Sequence, residues 1–233
     1  MGGNLQIDNV SLDKVSVRAT LCFMIMALAI VGLFVFTAEV DDESDATATS
    51  FGTNCTWEVS GSELKIIGTN SSSPGVIPDY AATGSGLAPW YSSRASITSI
   101  TLTNVSTIGD YAFYNLTSAR TVTLPSTVTT IGNNAFENCT SLTSTNVQST
   151  ITIGNNAFQN CTSLVNFTFV GTGHVTTIGT AAFKDCTALK SITFPSGITS
   201  IGESVFSGCT SLATVTLADT LTFMGDRKST RLN

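Results

Sequence analysis

From residue 97 to residue 225 the apolar positions recur in one order, and the order repeats. An Ile-Gly pair is followed by Phe five residues after the Ile. Cys comes three residues later, Leu three after that, then an apolar residue three on and another two on. The opening phrase stands as IGDYAF at 108–113, IGNNAF at 131–136 and again at 153–158, IGTAAF at 178–183 and IGESVF at 201–206. The intervals are 23, 22, 25 and 23 residues, and Met224-Gly225 opens a further unit 23 residues on. The spacing of three through Phe, Cys and Leu fits a short helical or 3-10 turn with one buried face. The spacing of two that follows fits a short strand whose side chains alternate between core and solvent. One such unit cannot bury its own apolar face. Stacked on copies of itself it forms a continuous core with its strands side by side as a parallel sheet. The prediction is an α/β repeat solenoid, dominated by strands.

The unit, IGxxAFxxCxxLxxVxLP in outline, resembles the BspA-type leucine-rich repeat of microbial surface proteins. The residues ahead of it resemble that family's N-terminal cap, in Cys55-Thr56-Trp57, Leu64-Lys65-Ile66-Ile67-Gly68, Pro78-Asp79-Tyr80 and Ala88-Pro89-Trp90. The resemblance covers residues 54–225, and it implies cell-surface display and adhesive binding to host proteins or other cells. Leu116 and Ala119 depart from it where Cys and Leu are expected, as does Thr145 at an apolar strand position.

Residues 19–38 carry no charge, and as a helix they would span about 30 Å, the thickness of a bilayer's hydrocarbon core. Lys14 and Arg18 precede them and acids follow, which places the amino terminus in the cytoplasm and the rest outside. The stretch is longer than the apolar core of a typical secretory signal, which favours a retained anchor, but Ala46 and Ala48 could serve a peptidase. Signal anchor and signal peptide both stay open. The expected organisation is a cytoplasmic end (1–18), the membrane segment (19–38), an acidic linker (39–53), a cap (54–97) and the repeats (98–225). The last eight residues, DRKSTRLN at 226–233, abandon the pattern and reverse the local charge. They resemble translated sequencing-adapter sequence, so a non-native tail on a truncated gene is expected there.

Charged residues make up only 11% of the 233-residue chain, against about 25% in ordinary soluble domains. Thr, Ser and Asn take their place. Ten basic residues against sixteen acidic ones exclude a nucleic-acid binder, which needs clustered Lys and Arg to neutralise phosphates. Five acids fall within 39–45, so the net charge of −6 belongs mainly to the linker, and the cap and repeats are close to neutral.

Cys139, Cys161, Cys186 and Cys209 share one slot of the unit, which Leu116 fills in the first. The slot therefore asks for a modest apolar side chain, and the four read as core thiols rather than a disulfide or metal framework. His174 is the only His, and with no GxSxG elbow nor any fixed triad it reads as an exposed loop residue. No catalytic, cofactor or metal site is expected. N-x-S/T sequons beyond the membrane segment fall at Asn54, Asn70, Asn104, Asn115, Asn138, Asn160 and Asn166. The first four are candidates for glycosylation, whereas the repeat itself accounts for Asn138 and Asn160.

Strand residues between the apolar ones must point away from the core. They are Ser99, Thr101, Thr121, Thr123, Ser144, Asn146, Asn166, Thr168, Ser191, Thr193, Thr214 and Thr216, every one a hydroxyl or amide residue. Together they form a polar strip able to bind an extended protein or a glycan, the partner-binding candidates being Thr101, Thr121, Thr123, Asn146, Asn166, Thr168, Ser191, Thr193, Thr214 and Thr216. The strip lacks the aromatic and Arg anchors of usual hot spots, and Thr also tolerates exposed strands without any binding role. The reading is an exported, non-catalytic surface protein that mediates adhesion or protein–protein interaction. The alternatives are a structural spacer and a targeting module of a larger enzyme.

Overall fold

In a computed structural model of the chain, the described residues are 49–148, 151–170, 177–217 and 221–225. The expected cytoplasmic end, membrane segment and tail lie outside them, as does His174. Among the described residues no helix is long and apolar enough to cross a membrane.

Sixteen strands are described. The first four are β1 (Thr49–Phe51), β2 (Cys55–Ser60), β3 (Glu63–Gly68) and β4 (Gly75–Ile77). Two strands per unit follow: β5 (Ser99–Thr103), β6 (Val105–Ile108), β7 (Thr121–Thr123), β8 (Thr130–Ile131), β9 (Ser144–Gln148) and β10 (Thr152–Ile153). The last are β11 (Asn166–Val170), β12 (Thr177–Ile178), β13 (Ser191–Thr193), β14 (Ser200–Ile201), β15 (Thr214–Thr216) and β16 (Phe223–Met224). They form a nine-stranded sheet in the order β1-β2-β3-β5-β7-β9-β11-β13-β15 and a seven-stranded sheet in the order β4-β6-β8-β10-β12-β14-β16. From β3 onward every pairing in the nine-stranded sheet is parallel, as is every pairing in the seven-stranded one. Only β2 runs antiparallel to its neighbours, β1 and β3. The protein is a parallel β-solenoid, and the Ile of each Ile-Gly phrase ends a short strand of its own, which the spacing in the sequence had not separated from the turn.

The predicted Phe-Cys-Leu turn is a run of single turns rather than a helix. Cys139 N–H donates to Phe136 O at 3.2 Å, and Leu142 N–H donates to Cys139 O at 3.0 Å. Between these, alternate amides reach the next coil, as Asn134 N–H does to Asn155 O (2.9 Å), Phe136 N–H to Ala157 O (2.8 Å) and Asn138 N–H to Gln159 O (2.9 Å). Two residues per coil take left-handed backbone angles to bring this about, Asn134 (φ 55°) and Asn138 (φ 62°) in one coil, Asn156 and Asn160 in the next. Asn tolerates that region better than most side chains, which accounts for its place in the phrase. The amides then stack, with Asn156 Nδ2 donating to Asn134 Oδ1 and Asn160 Nδ2 to Asn138 Oδ1.

The Phe side chains form a column through the core. Phe113, Phe136, Phe158, Phe183 and Phe206 stack with ring centroids 5.0 to 6.0 Å apart, and Trp90 begins the column 5.7 Å from Phe113. Trp90 lies 23 residues before Phe113, the repeat interval, so it occupies a Phe slot ahead of the first full unit. It is buried, and its indole N–H donates to Ala112 O at 2.9 Å. The glycine of the Ile-Gly phrase marks the closest approach of successive coils. A Cβ on Gly132 would stand 2.6 Å from Asp110 N, and one on Gly154 would stand 2.6 Å from Gly132 C.

The shortage of charge has a structural cause here. Thr and Asn side chains bond across coils, as Thr187 Oγ1 does to Thr162 O, Thr143 Oγ1 to Arg120 O and Thr222 Oγ1 to Thr199 O. Short neutral groups reach a carbonyl one coil away without burying a charge.

Candidate binding face

The outward positions of the nine-stranded sheet align across coils because the strands are in register. Ser99 pairs with Thr121, Thr121 with Ser144, Ser144 with Asn166, Asn166 with Ser191, and Ser191 with Thr214. A second row is built from the pairs Thr101–Thr123, Asn146–Thr168 and Thr193–Thr216. Thr121, Thr123, Asn146, Asn166, Thr168, Ser191, Thr193, Thr214 and Thr216 are exposed. Thr101 is half-buried, and its hydroxyl donates to Glu63 Oε1 at 2.6 Å. The strip therefore has a charged end that sequence reading did not include, because β3 joins the sheet with Glu63 beside Ser99 and Lys65 beside Thr101. Lys65 reaches Glu58 at 3.8 Å and Glu63 at 3.7 Å.

The rows are interrupted where strand lengths differ. β11 pairs with β9 over five residues, from Asn166↔Ser144 to Val170↔Gln148, but its register with β13 is set at Asn166↔Ser191. There an open depression of about 220 Å³ is lined by Asn166, Phe167, Thr168, Phe169, Ser191, Thr193 and Pro195. Its longer strand belongs to the 25-residue unit and its other side to the unit that follows.

Aromatic and Arg groups gather on the turn side of the first coils instead. Arg94 lies 4.4 Å over the Tyr91 ring, Asn115 Nδ2 donates to the Tyr91 hydroxyl at 3.3 Å, and Tyr111 meets Tyr114 edge-on at 5.6 Å. Of the glycosylation candidates, Asn54, Asn104 and Asn115 hold left-handed backbones. Asn104 donates through Nδ2 to both Gly68 O and Asn70 O. Asn70 is exposed, with Oδ1 accepting from Ser72 N.

Cys139, Cys161 and Cys186 are buried free thiols, and Cys209 is a half-buried one. Each donates to the Phe carbonyl of the preceding unit, Cys139 to Phe113 O, Cys161 to Phe136 O, Cys186 to Phe158 O and Cys209 to Phe183 O, at 3.0 to 3.2 Å. Where it holds Cys the slot supplies a donor as well as an apolar volume, whereas Leu116 fills it with volume alone. Burial pushes Cys139 up to about 12 and Cys161 well above an ordinary thiol, so neither supplies thiolate near neutral pH. The Cys209 thiol, followed by burial, raises Cys186, whereas Cys186 lowers Cys209. Among the described residues no group of three or more His, Cys, Asp or Glu is placed to hold a metal ion.

The repeat family described as BspA type Leucine rich repeat region matches residues 90–213 in six copies, beginning at the Trp that heads the aromatic column. The solved structures similar to this one include the following two. The Leucine Rich Repeat protein of T. pallidum is 24% identical with a TM-score of 0.54, over 74% of this chain and 83% of that one. A leucine rich cell surface protein from Faecalibacterium prausnitzii A2-165 is 27% identical with a TM-score of 0.54, over 76% of this chain and 50% of that one. No match was found among curated proteins. With its Ile-Gly strands, Phe column and thiol slot repeated through the matched region, the chain belongs to the BspA-type leucine-rich repeat family.

Proposed function

We propose that the protein binds a partner protein on the outward face of its nine-stranded sheet, at the outer surface of the cell, without catalysis of its own. The observation that carries this reading is the in-register strip of exposed hydroxyl and amide side chains from Thr121 to Thr216. Leucine-rich repeats present such faces for protein–protein interaction, and stacked coils offer an extended surface on which many weak hydrogen bonds add up. Export rests on residues 19–38, read as a membrane anchor or signal peptide, and is supported by the surface protein of F. prausnitzii that the chain resembles. Residues 54–97, with Trp90 heading the aromatic column, are assigned as the cap of the solenoid.

The test is binding of the full chain to a panel of extracellular matrix and cell-surface proteins. Saturable binding that weakens about tenfold in Thr121→Lys and Thr123→Lys, at unchanged melting temperature, supports the face. Saturable binding that these substitutions leave untouched assigns the contact to another surface and overturns the reading.

A further inference from the structure

We infer that the depression between β11 and β13 is a subsite for the ring of one neutral sugar, so that the partner engaged on this face carries a neutral glycan. The inference rests on the sheet face being the binding face and names a ligand class for one part of it. The depression arises because β11 continues beside β9 to Val170 while β13 ends at Thr193. Its wall carries the Asn166 amide and the hydroxyls of Thr168, Ser191 and Thr193, each able to donate and accept. Its aromatic contribution comes from half-buried Phe169, which packs against Phe194 at 5.3 Å, whereas Phe167 is buried beneath it at 5.2 Å. None of the seven lining residues is ionisable.

That combination suits a sugar, whose hydroxyls exchange hydrogen bonds with short neutral side chains while its C–H groups meet the exposed part of Phe169. A carboxylate or phosphate would meet no opposite charge among the described lining residues and would lose its hydration without return. The volume, about 220 Å³, lies below the roughly 300 Å³ at which pockets begin to enclose drug-sized ligands. One ring fits it better than an oligomer or a helix. A peptide strand would need an unpaired sheet edge for its backbone, whereas β11 and β13 both lie inside the sheet.

The experiment is saturation-transfer difference NMR on the full chain. The probes are the methyl glycosides of glucose, galactose and mannose and free N-acetylglucosamine, with glucuronic acid and sialic acid as charged counterparts. At least one neutral sugar should bind saturably, at about millimolar affinity, with the charged sugars about tenfold weaker. Thr168→Lys and Thr193→Lys, both on exposed strand positions, should each weaken the neutral sugar at least about tenfold. Thr123→Lys, on the strip but outside the depression, should leave it unchanged while weakening a protein partner. The subsite fails, and the face survives, when no neutral sugar binds saturably yet Thr123→Lys still weakens the protein partner. The subsite also fails when sugar binding persists in both Thr168→Lys and Thr193→Lys with melting temperatures unchanged.

Discussion

The thiol of Cys161 donates to the carbonyl oxygen of Phe136, 3.2 Å away in the preceding unit, and Cys139, Cys186 and Cys209 repeat the bond in their own coils. The Phe that supplies the acceptor is the same residue that stacks in the aromatic column. One slot therefore ties the turn of each coil to the packing of the one before. Cys161→Ala leaves that buried carbonyl without this donor and opens a small void. The expected loss is about 1–3 kcal/mol, read as a lower denaturation midpoint at unchanged slope. A midpoint equal to that of the native chain would mean that neither the bond nor the packing of the thiol contributes to stability.

The same burial makes stability depend on pH. The folded pKa of Cys139 is raised to about 12, and those of Cys161 and Cys186 are raised too, while an unfolded thiol titrates near 8.5. Below that pH the thiols are protonated in both states and stability does not change on their account. Above it the unfolded chain gives up protons that the folded chain keeps, so stability falls as pH rises from about 9 toward 12. Cys139 costs about 1.4 kcal/mol per pH unit across that window, and Cys161 acts in the same direction. Tyr80, raised to about 12 by burial, adds to the fall above pH 10. Thermal melts at pH 7.5 and pH 10.5 should show the lower midpoint at pH 10.5, by less in a Cys139→Leu variant.

Two glycines separate two reasons for having no side chain. Gly154 sits where a Cβ would stand 2.6 Å from the backbone carbon of Gly132, inside the stacked core. Gly61, at the β2–β3 turn, has open space around it but holds φ at +58°. Gly154→Ala must push two coils apart and should cost about 3 kcal/mol. Gly61→Ala carries only the local penalty of a left-handed residue, about 1–2 kcal/mol. Chemical denaturation of the two variants should rank them in that order, and the reverse order would place the coil spacing elsewhere.

Thr145 occupies an inward strand position between Val122 and Phe167 of the two neighbouring coils, and its hydroxyl is buried without a hydrogen-bond partner. Val has the same shape without the polar group. Thr145→Val should raise stability by about 1 kcal/mol, since it removes a desolvated hydroxyl and leaves the packing alone. A lower melting temperature in that variant would show that the hydroxyl is satisfied in solution.

What the residue pattern disclosed was whatever recurs at fixed spacing and faces one way. Ile131, Phe136, Cys139 and Leu142 are all buried, and Thr121 and Thr123 alternate with buried Val122 as the period of two requires. The strip was legible for the same reason. Bonds between coils were not, because they join residues 22 to 28 positions apart, at spacings that shift with the length of each unit. Thr145 was legible as a departure, but not its lack of a partner. The depression depends on β11 outlasting β13, which a 25-residue interval hints at but does not locate. The column's start at Trp90 was hidden by its change of residue type.

The position after the Ile-Gly pair, which looks variable in the sequence, carries a ladder of its own. Asp79 Oδ1 accepts from Asp110 N, Asp110 Oδ1 from Asn133 N, Asn133 Oδ1 from Asn155 N, and Asn155 Oδ1 from Thr180 N, at 2.6 to 2.8 Å. Each side chain satisfies a backbone amide one coil along, beside the glycines where the coils are closest. Asn155→Ala leaves Thr180 N–H without that acceptor and should cost about 1 kcal/mol. Thr180 itself is too short to carry the ladder onward in the same way. Thr180→Asn places an amide oxygen opposite Glu203 N, the corresponding group of the next coil, and should return a comparable stabilisation. The two substitutions act on adjacent rungs, so their effects should not add. With Asn155→Ala the Thr180 backbone is less firmly held, and the gain from Thr180→Asn should shrink, a coupling measurable by a double-mutant cycle. Strict additivity would mean that the rungs act independently and that the ladder contributes no cooperativity to the stack.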